Sequence, residues 1–184
     1  MPVLGNNVAG GGSNGMDAVQ SRGHFDPAQI ATHFAVVPVN FQIQNGFARI
    51  SKSSAGIGSA QMGLYDASNV NPDLWSLVSS SAVVAIPTPS VVQWFVFPWT
   101  SIIPAGTYIL GIIINGVGTT GDIYRLIGPN VRMSVAPITP GVLPDPVGAA
   151  SLSILDWSMY IDWIASAPPT PSAVTDPPVC CCDC

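Results

Sequence analysis

Two phrases decide the fold: Ala60-Gln61-Met62-Gly63-Leu64-Tyr65-Asp66 and Ile103-Pro104-Ala105-Gly106-Thr107-Tyr108-Ile109-Leu110. In the first phrase every second residue is apolar, which is the period of a strand with one buried face. In the second phrase a flexible glycine stands where the chain turns, and a β-branched and an aromatic residue that favour strands follow it. Both phrases predict β-strands, and the sequence between them is almost entirely typical of strands and turns.

The composition favours β structure along the whole chain. The 184 residues are 48% hydrophobic and only 8% charged, whereas about 25% charged residues is typical of a soluble domain. Glutamate is absent and Lys52 is the only lysine, so the residues favoured on exposed helices are nearly missing. Frequent glycines and prolines supply breaks. We therefore expect a single all-β domain with many turns and a weakly charged surface.

The charge pattern argues against two classes of partner. The formal net charge is −5 and the five basic residues are scattered, whereas nucleic-acid binding needs clustered lysine and arginine. No charged residue or histidine occurs from Leu74 to Gly121, but four prolines cut this stretch into runs shorter than the ~20 residues of a spanning helix. We expect no nucleic acid and no membrane span, and a surface suited to burial against protein neighbours.

Period-2 patterns predict eight to ten short strands. Thr107–Ile114 is apolar on both faces, which predicts a central strand. Asn45-Gly46 predicts a hairpin turn, and Gly128-Pro129-Asn130 predicts a break between two further strands. Within residues 152–163, the stretch 155–163 alternates as a strand, which we favour. A helix is the alternative there, because it would place four apolar residues on one face: Leu152, Leu155, Met159 and Trp163.

The expected architecture is a jelly-roll-like antiparallel β-sandwich with extended N- and C-terminal arms. Residues 1–30 are rich in glycine and asparagine and predict an extended arm. Residues 31–165 carry the strand patterns and predict the β-sandwich domain. Residues 166–184 are rich in proline, end in cysteines and predict an extended tail. We expect both arms to contact neighbouring subunits.

Short phrases stand in a fixed order along residues 3–165: Leu4–Gly10, Leu64-Tyr65-Asp66, Leu74–Leu77, Trp94–Phe97, Pro104–Tyr108 and Leu143–Pro146. In this order the chain resembles the jelly-roll β-sandwich domains of bacteriophage virion proteins. The resemblance implies a structural or attachment module of a virion that forms oligomers, and it carries over no catalytic residue. The low charge and the cysteine-terminated tail depart from the family pattern.

Three motifs suggest chemistry but also have simpler explanations. Residues 116–121 match a dinucleotide-binding motif, yet no helix is predicted after them, so we interpret them as a flexible loop. Residues 11–15 match a nucleophile elbow in letters only, because they lie in the glycine-rich arm. The third motif is an oxygen-rich loop that suits calcium, or that bonds its own backbone in turns: Asp66, Asn69, Asn71 and Asp73. We predict no catalytic residue and no cofactor, and keep calcium as an alternative.

Two tryptophans, Trp99 and Trp75, are candidate ligand or interface residues. Trp99 is expected in a loop between Pro98 and Pro104, where its ring is available to a sugar or to another subunit. An exposed Trp99 near the oxygen-rich loop would indicate carbohydrate binding. A Trp99 packed on its own core or on a subunit would indicate a structural role.

The four cysteines lie together at the end of the tail: Cys180, Cys181, Cys182 and Cys184. The predicted core has none, so the fold does not depend on internal disulfides. The cluster is a candidate for interchain thiol contacts. The alternatives are reduced thiols against a neighbour, interchain disulfides, a metal ion shared between chains, and a lipid attachment.

The sequence thus predicts a non-enzymatic structural protein located in a phage particle, as a capsid decoration or a tail-associated subunit. Its expected partners are other virion proteins and copies of itself. A carbohydrate-binding host-attachment module, with a cell-surface glycan as partner, is the alternative from a different class. A subunit of a cellular extracellular filament is the third hypothesis.

Overall fold

The computed structural model describes residues 2–5, 7, 12–17, 24–26, 35–52, 58–69, 71, 74–87, 90–115, 120–134, 142–147 and 150–166. These residues contain thirteen strands and no α-helix, which confirms the all-β prediction. In chain order the strands are β1 Val3–Gly5, β2 Gly12–Asp17, β3 His24–Asp26, β4 Ala35–Val37, β5 Phe41–Lys52, β6 Gly58–Asp66, β7 Ser76–Ser80, β8 Val84–Ile86, β9 Ser90–Ile103, β10 Gly106–Asn115, β11 Thr120–Ser134, β12 Ala150–Trp157 and β13 Met159–Ala165.

All strand pairs are antiparallel, and they form two sheets of a β-sandwich. In the first sheet β5 lies between β9 and β13, and β1 extends the sheet beyond β13. In the second sheet β10 pairs with β6, which continues to β7 and β8. The long strand β11 pairs with β5 and β3, and also with β2 and β12. The two sheets are therefore linked through shared partners.

The main core lies between these sheets. Apolar residues of β5, β9 and β13 pack there against those of β6 and β10, and the cluster includes Phe41, Phe97, Met62, Leu110 and Ile161. Ala60, Met62 and Leu64 of β6 are buried in this cluster as predicted. The prediction of a single buried face is wrong for the second half of the strand, because Gly63 and Tyr65 are buried as well. Burial of such side chains, at roughly 25 cal/mol per Å² of apolar surface, is the main stabilising term of the fold.

The prediction of a central strand at Thr107–Ile114 is confirmed. Strand β10 pairs with β6 on one side and with β3 and β4 on the other. Tyr108, Leu110 and Ile112 join the main core, whereas Ile109 and Ile113 are buried on the opposite side of the sheet. A strand covered on both faces has no polar alternation, which is why this stretch is apolar throughout.

The predicted hairpin at Asn45-Gly46 is wrong, because β5 runs without interruption through these residues. Neighbouring strands pair with both sides of β5 here, and the register shifts next to Asn45 in both pairings. The Asp162 carboxylate accepts the Asn45 N–H at 2.7 Å, so a side chain satisfies the backbone at the irregularity. Gly46 is required by close packing: a Cβ there would lie 2.9 Å from Met62 Sδ and 3.2 Å from Trp99 Cε3.

Two other sequence expectations have different outcomes. The predicted break at Gly128-Pro129-Asn130 is a register shift between Ile127 and Val131 within the single strand β11. The strand interpretation of residues 152–163 is confirmed over the helix, since β12 and β13 flank Ser158. In both places pairing with a neighbouring strand determines the backbone, and local sequence preference does not.

The first thirty residues, predicted as an extended arm, contribute three strands to the sheets. Strand β1 pairs with β13, and Leu4 is buried in the main core. Strand β2 pairs with β11, and β3 pairs with β10 and β11. The described N-terminal strands therefore belong to the sandwich. Of the predicted tail, the Ser166 N–H donates to the Asn40 carbonyl at 2.8 Å, and residues 167–184 lie outside the described residues.

Candidate interaction surface

The sandwich has two outer sheet faces that differ in what lies on them. We call the outer side of β6 and β10 the covered face; it is formed by Gly63, Tyr65, Ile109 and Ile113. We call the outer side of β9, β5 and β13 the open face; it carries Phe47, Trp94, Val96, Ile102 and Tyr160. Each face is built by strand residues one position out of phase with those of the main core.

A separate segment, residues 142–147, lies over the covered face. Its Val147 packs with Tyr65, Trp75 and Ile109, and its Leu143 packs with Ile113. Backbone contacts fix it in place. The Val147 N–H donates to the Trp75 carbonyl at 2.9 Å, and the Leu77 N–H donates to Asp145 Oδ1 at 2.9 Å. The segment includes the cis peptide bond Asp145-Pro146.

Trp75, one of the two tryptophans singled out from the sequence, lies beneath this cover and packs against Val147. It is fully buried, at 0% exposed, and its Nε1–H donates to the Asn69 carbonyl at 2.7 Å. An indole that is apolar on its faces and hydrogen-bonded at its nitrogen suits a buried site at the end of a sheet. Trp75 is therefore placed to stabilise its own domain.

Tyr65 lies beneath the cover and has an altered ionisation. Burial raises the pKa of the Tyr65 phenol far above its usual range, and the nearby negative charge of Asp145 raises it further. The rings of Tyr65 and Tyr108 are both buried, and the Tyr108 hydroxyl donates to the Pro104 carbonyl at 2.8 Å. Burial is the main cause that raises the pKa of the Tyr108 phenol, and the negative charge of Asp66 raises it further.

The expectation that Trp99 lies in a loop is wrong. Strand β9 continues through Pro98 to Ile103, and Trp99 points into the main core at 3% exposed. Its Nε1–H donates to Ser79 Oγ at 2.9 Å, and Ser79 Oγ donates to Ser101 Oγ at 2.7 Å. Proline is tolerated at this position because the Pro98 residue belongs to the outer strand of its sheet. A buried Trp99 is the arrangement expected for a structural role.

The oxygen-rich loop uses its side chains on its own backbone. Asp66 Oδ1 accepts the Ser68 N–H at 2.8 Å, and Asn69 Oδ1 accepts the Asn71 N–H at 2.9 Å. These are the turn-forming bonds that the alternative to calcium predicts. Asp73 lies outside the described residues. The described part of the chain holds no group of three or more histidine, cysteine or acidic residues that could bind a metal ion.

The remaining motifs are placed only in part. Gly12–Gly15 lies in strand β2 and pairs with β11, whereas a nucleophile elbow needs a strand, a turn and a helix. Residues 116–119 lie outside the described residues, but strand β11 begins at Thr120, where a dinucleotide site would begin a helix. Cys180, Cys181, Cys182 and Cys184 also lie outside the described residues.

Within the described ranges no helix has the length and apolar character to cross a membrane.

The open face holds an aromatic group that the sequence analysis missed. Phe47 and Tyr160 are stacked, with ring centres 4.6 Å apart, and the Trp94 ring meets Tyr160 edge-on at 5.4 Å. All three side chains are partly exposed, and Arg49 lies among them, opposite Trp94 on the neighbouring strand. Partial burial, followed by the charge of Asp162, raises the pKa of Tyr160. The alternation of side chains along a strand places Trp94 and Val96 on one face. Their proximity to Phe47 and Tyr160 follows only from the register between the strands.

Aliphatic side chains extend this aromatic group across the open face. Val96 is 49% exposed and Ile102 is 68% exposed on β9, and Ile164 and Val3 continue the face on β13 and β1. Asp162 shares the sheet but is buried against Asn45. Among the described segments, none lies over this face as residues 142–147 lie over the other. Gln42 lies between Ile102 and Ile164, so polar side chains separate the apolar groups of this face. Exposed apolar groups on one sheet face are a common feature of protein contact surfaces.

Comparison with models of protein families gave no match, and comparison with curated proteins found no similar sequence.

Proposed function

We propose that the chain is a non-enzymatic structural subunit of a phage particle, with a jelly-roll arrangement of its sandwich, and that it acts through contacts with neighbouring subunits. One observation carries this proposal: the open face presents aromatic and aliphatic side chains next to a surface with very few charges. Such a face gains free energy when a neighbour removes it from water. The order of the short sequence motifs, which resembles that of phage virion proteins, supports a phage particle as the location of the chain.

The two candidate tryptophans support the same proposal. Trp75 and Trp99 are both buried and hydrogen-bonded within their own domain, so neither offers a ring face to a ligand. In the oxygen-rich loop the side chains of Asp66 and Asn69 cap turns. The chemistry of the described residues is thus that of packing and backbone support, in a capsid decoration or a tail-associated subunit.

Substitution of Ile102 tests this proposal. Ile102→Lys places a charge on the open face, and Val83→Lys places the same charge at a 58% exposed residue between β7 and β8. We expect mass spectrometry of purified particles from the phage that encodes the chain to detect the wild type and Val83→Lys. Ile102→Lys should be strongly depleted from the particles. Particles that never contain the wild-type chain would refute the proposal.

Carbohydrate binding by a host-attachment module remains the second candidate, because Trp94 is partly exposed beside Tyr160 and Arg49. Aromatic faces bind apolar sugar faces, and arginine donates to hydroxyls. In this case Trp94→Ala would abolish binding to a glycan array or to host cells while leaving the chain in its particles. Loss of incorporation together with unchanged glycan binding would favour the structural role.

A further inference from the structure

Strand β9 pairs with β5 along one edge, and no strand of the described residues forms a ladder with its other edge. The segment around Ser79–Ala82 meets that edge at one end, where the Ala82 N–H donates to the Pro98 carbonyl at 2.9 Å. The stretch Gln93–Phe97 lies beyond this contact. Within the described part of the chain, this stretch is therefore an unpaired edge next to the open face, and we call it the open edge.

The direction of the backbone groups follows from the contact at Pro98. Its carbonyl points toward Ala82 and hence away from β5. The register between β5 and β9 is regular from Pro98 back to Gln93. Because backbone groups alternate in direction along an antiparallel strand, Val96 and Trp94 direct their N–H and C=O groups to the open edge, whereas Phe95 and Phe97 bond to β5.

This edge lacks the features that normally prevent strand addition. Exposed edges are usually protected by charged side chains, prolines or a covering segment. The stretch Gln93-Trp94-Phe95-Val96-Phe97 contains no charge and no proline. Its residues are mostly β-branched or aromatic, which suits a paired strand. Val96 on the same stretch is 49% exposed and so has apolar surface left to bury.

We propose that this edge pairs with the β9 edge of a second copy of the chain, antiparallel about a twofold axis at Phe95. Trp94 then lies opposite Val96 of the partner subunit, and Val96 opposite the partner's Trp94. Each such pair exchanges two hydrogen bonds, which gives about four across the junction. A twofold contact places every edge against an identical one, and an uncharged edge has no repulsion to overcome. Aromatic residues opposite β-branched ones are favourable cross-strand neighbours.

The proposal deepens the proposed function and rests on it in one respect: it takes subunit contact as the role of the chain and identifies one contact surface. It joins the first sheets of two copies into one continuous sheet, which also doubles the width of the open face. That wider face is then available to other subunits of the particle.

Substitution of Val96 tests the pairing. Val96→Pro removes an N–H that points to the open edge and leaves the bonds to β5 intact, and edge strands accept proline. Val96→Thr is the matched control, because it keeps the β-branched shape and the N–H. In sedimentation equilibrium over a range of concentrations, we expect wild type and Val96→Thr to dimerise. Val96→Pro should dimerise at least about tenfold more weakly, with an unchanged circular-dichroism spectrum.

Hydrogen exchange of the unmutated chain gives a second measurement that does not depend on the variant folding. The amides of Trp94 and Val96 should exchange more slowly as protein concentration rises, while the amide of Val83 stays unchanged. A wild type that is monomeric at all concentrations, or a folded Val96→Pro that dimerises as tightly as Val96→Thr, would overturn the inference. A monomeric chain that still enters particles would refute the pairing alone. A dimer that is absent from particles would refute the particle function alone.

Discussion

The covered face and the open face are both outer sides of sheets in one sandwich, but they differ in how far their apolar side chains are buried. On the covered face, residues 142–147 and Trp75 bury Tyr65 and Ile109 completely. On the open face, Trp94 and Tyr160 contact each other but keep part of their surface exposed. Both faces carry large apolar side chains. The difference lies in the segment that covers one of them.

Under the proposed function, this difference separates the residues that stabilise the fold from those that contact a neighbour. The covered face is closed by atoms of the chain itself, with backbone hydrogen bonds at Val147 and Leu77 holding the cover. Its residues therefore contribute to folding whether or not a partner is present. On the open face the chain buries Phe47, Trp94 and Tyr160 only in part, and it leaves Val96 and Ile102 exposed. Substitutions on the two faces should accordingly affect different measurements.

Trp75→Ala should have the largest effect on folding. The substitution removes a fully buried indole from beneath the cover, together with its hydrogen bond to Asn69. Cavities of this kind typically cost about 3–5 kcal/mol in the free energy of unfolding, as measured by urea denaturation. Trp94→Ala is the matched control on the open face and should cost about 1 kcal/mol. Equal losses for the two tryptophans would contradict the distinction between the faces.

Gly63→Ala should loosen the cover by adding a single methyl group. A Cβ at Gly63 would lie 2.9 Å from Tyr65 Cε2 and 3.0 Å from both Leu143 Cδ1 and Leu77 Cδ1. These contacts are too close, so the surrounding side chains must shift, and overpacking of this size costs about 1–3 kcal/mol. Leu143→Ala in the same chain should relieve part of the strain, so the double variant should lose less stability than the sum of the two single ones. Strict additivity would show that residues 142–147 do not press on Gly63.

The fold class could be predicted from the sequence because the pattern of apolar residues along a strand shows which of its faces are buried. Alternation in Ala60–Leu64 and two-sided apolarity in Thr107–Ile114 follow directly from which faces meet the core. The hairpin at Asn45-Gly46 could not be excluded, because the dipeptide has the preference of a turn. Its extended conformation depends on strands distant in sequence, including the Asp162 carboxylate.

The candidate site was harder to predict from the sequence, because it also depends on pairing between strands that are distant in sequence. Pro98 suggested that a loop contained Trp99, whereas pairing with β5 continues the strand through the proline. The cluster of Phe47, Trp94 and Tyr160 joins three strands and becomes visible only when the register is known. Segment 142–147 has no periodic pattern, so the covering of one face could not be anticipated from it.

Alkaline pH should distinguish the faces through their tyrosines. Tyr65 has a raised pKa in the folded chain, so the folded state holds its proton above pH ~10, where the unfolded state releases it. Its contribution to stability is complete below pH ~10 and decreases as the pH rises further, by roughly 1 kcal/mol per pH unit. Tyr65→Phe should reduce this slope in urea denaturation at several pH values. Tyr160→Phe, on the open face, should change it less; the opposite order would contradict the difference in burial.

Ile102→Thr should have the smallest effect on folding. Its side chain is 68% exposed on the open face, so the shorter polar group removes little buried surface and should change the free energy of unfolding by less than about 0.5 kcal/mol. The same substitution at Ile109, buried on the covered face, should cost more than about 2 kcal/mol, because it leaves a void and a buried hydroxyl. Urea denaturation at low protein concentration measures the free energy of unfolding of both variants. If the open face instead packs against the chain's own residues, Ile102→Thr will destabilise the monomer nearly as much as Ile109→Thr, and the surface would then no longer be available to a neighbouring subunit.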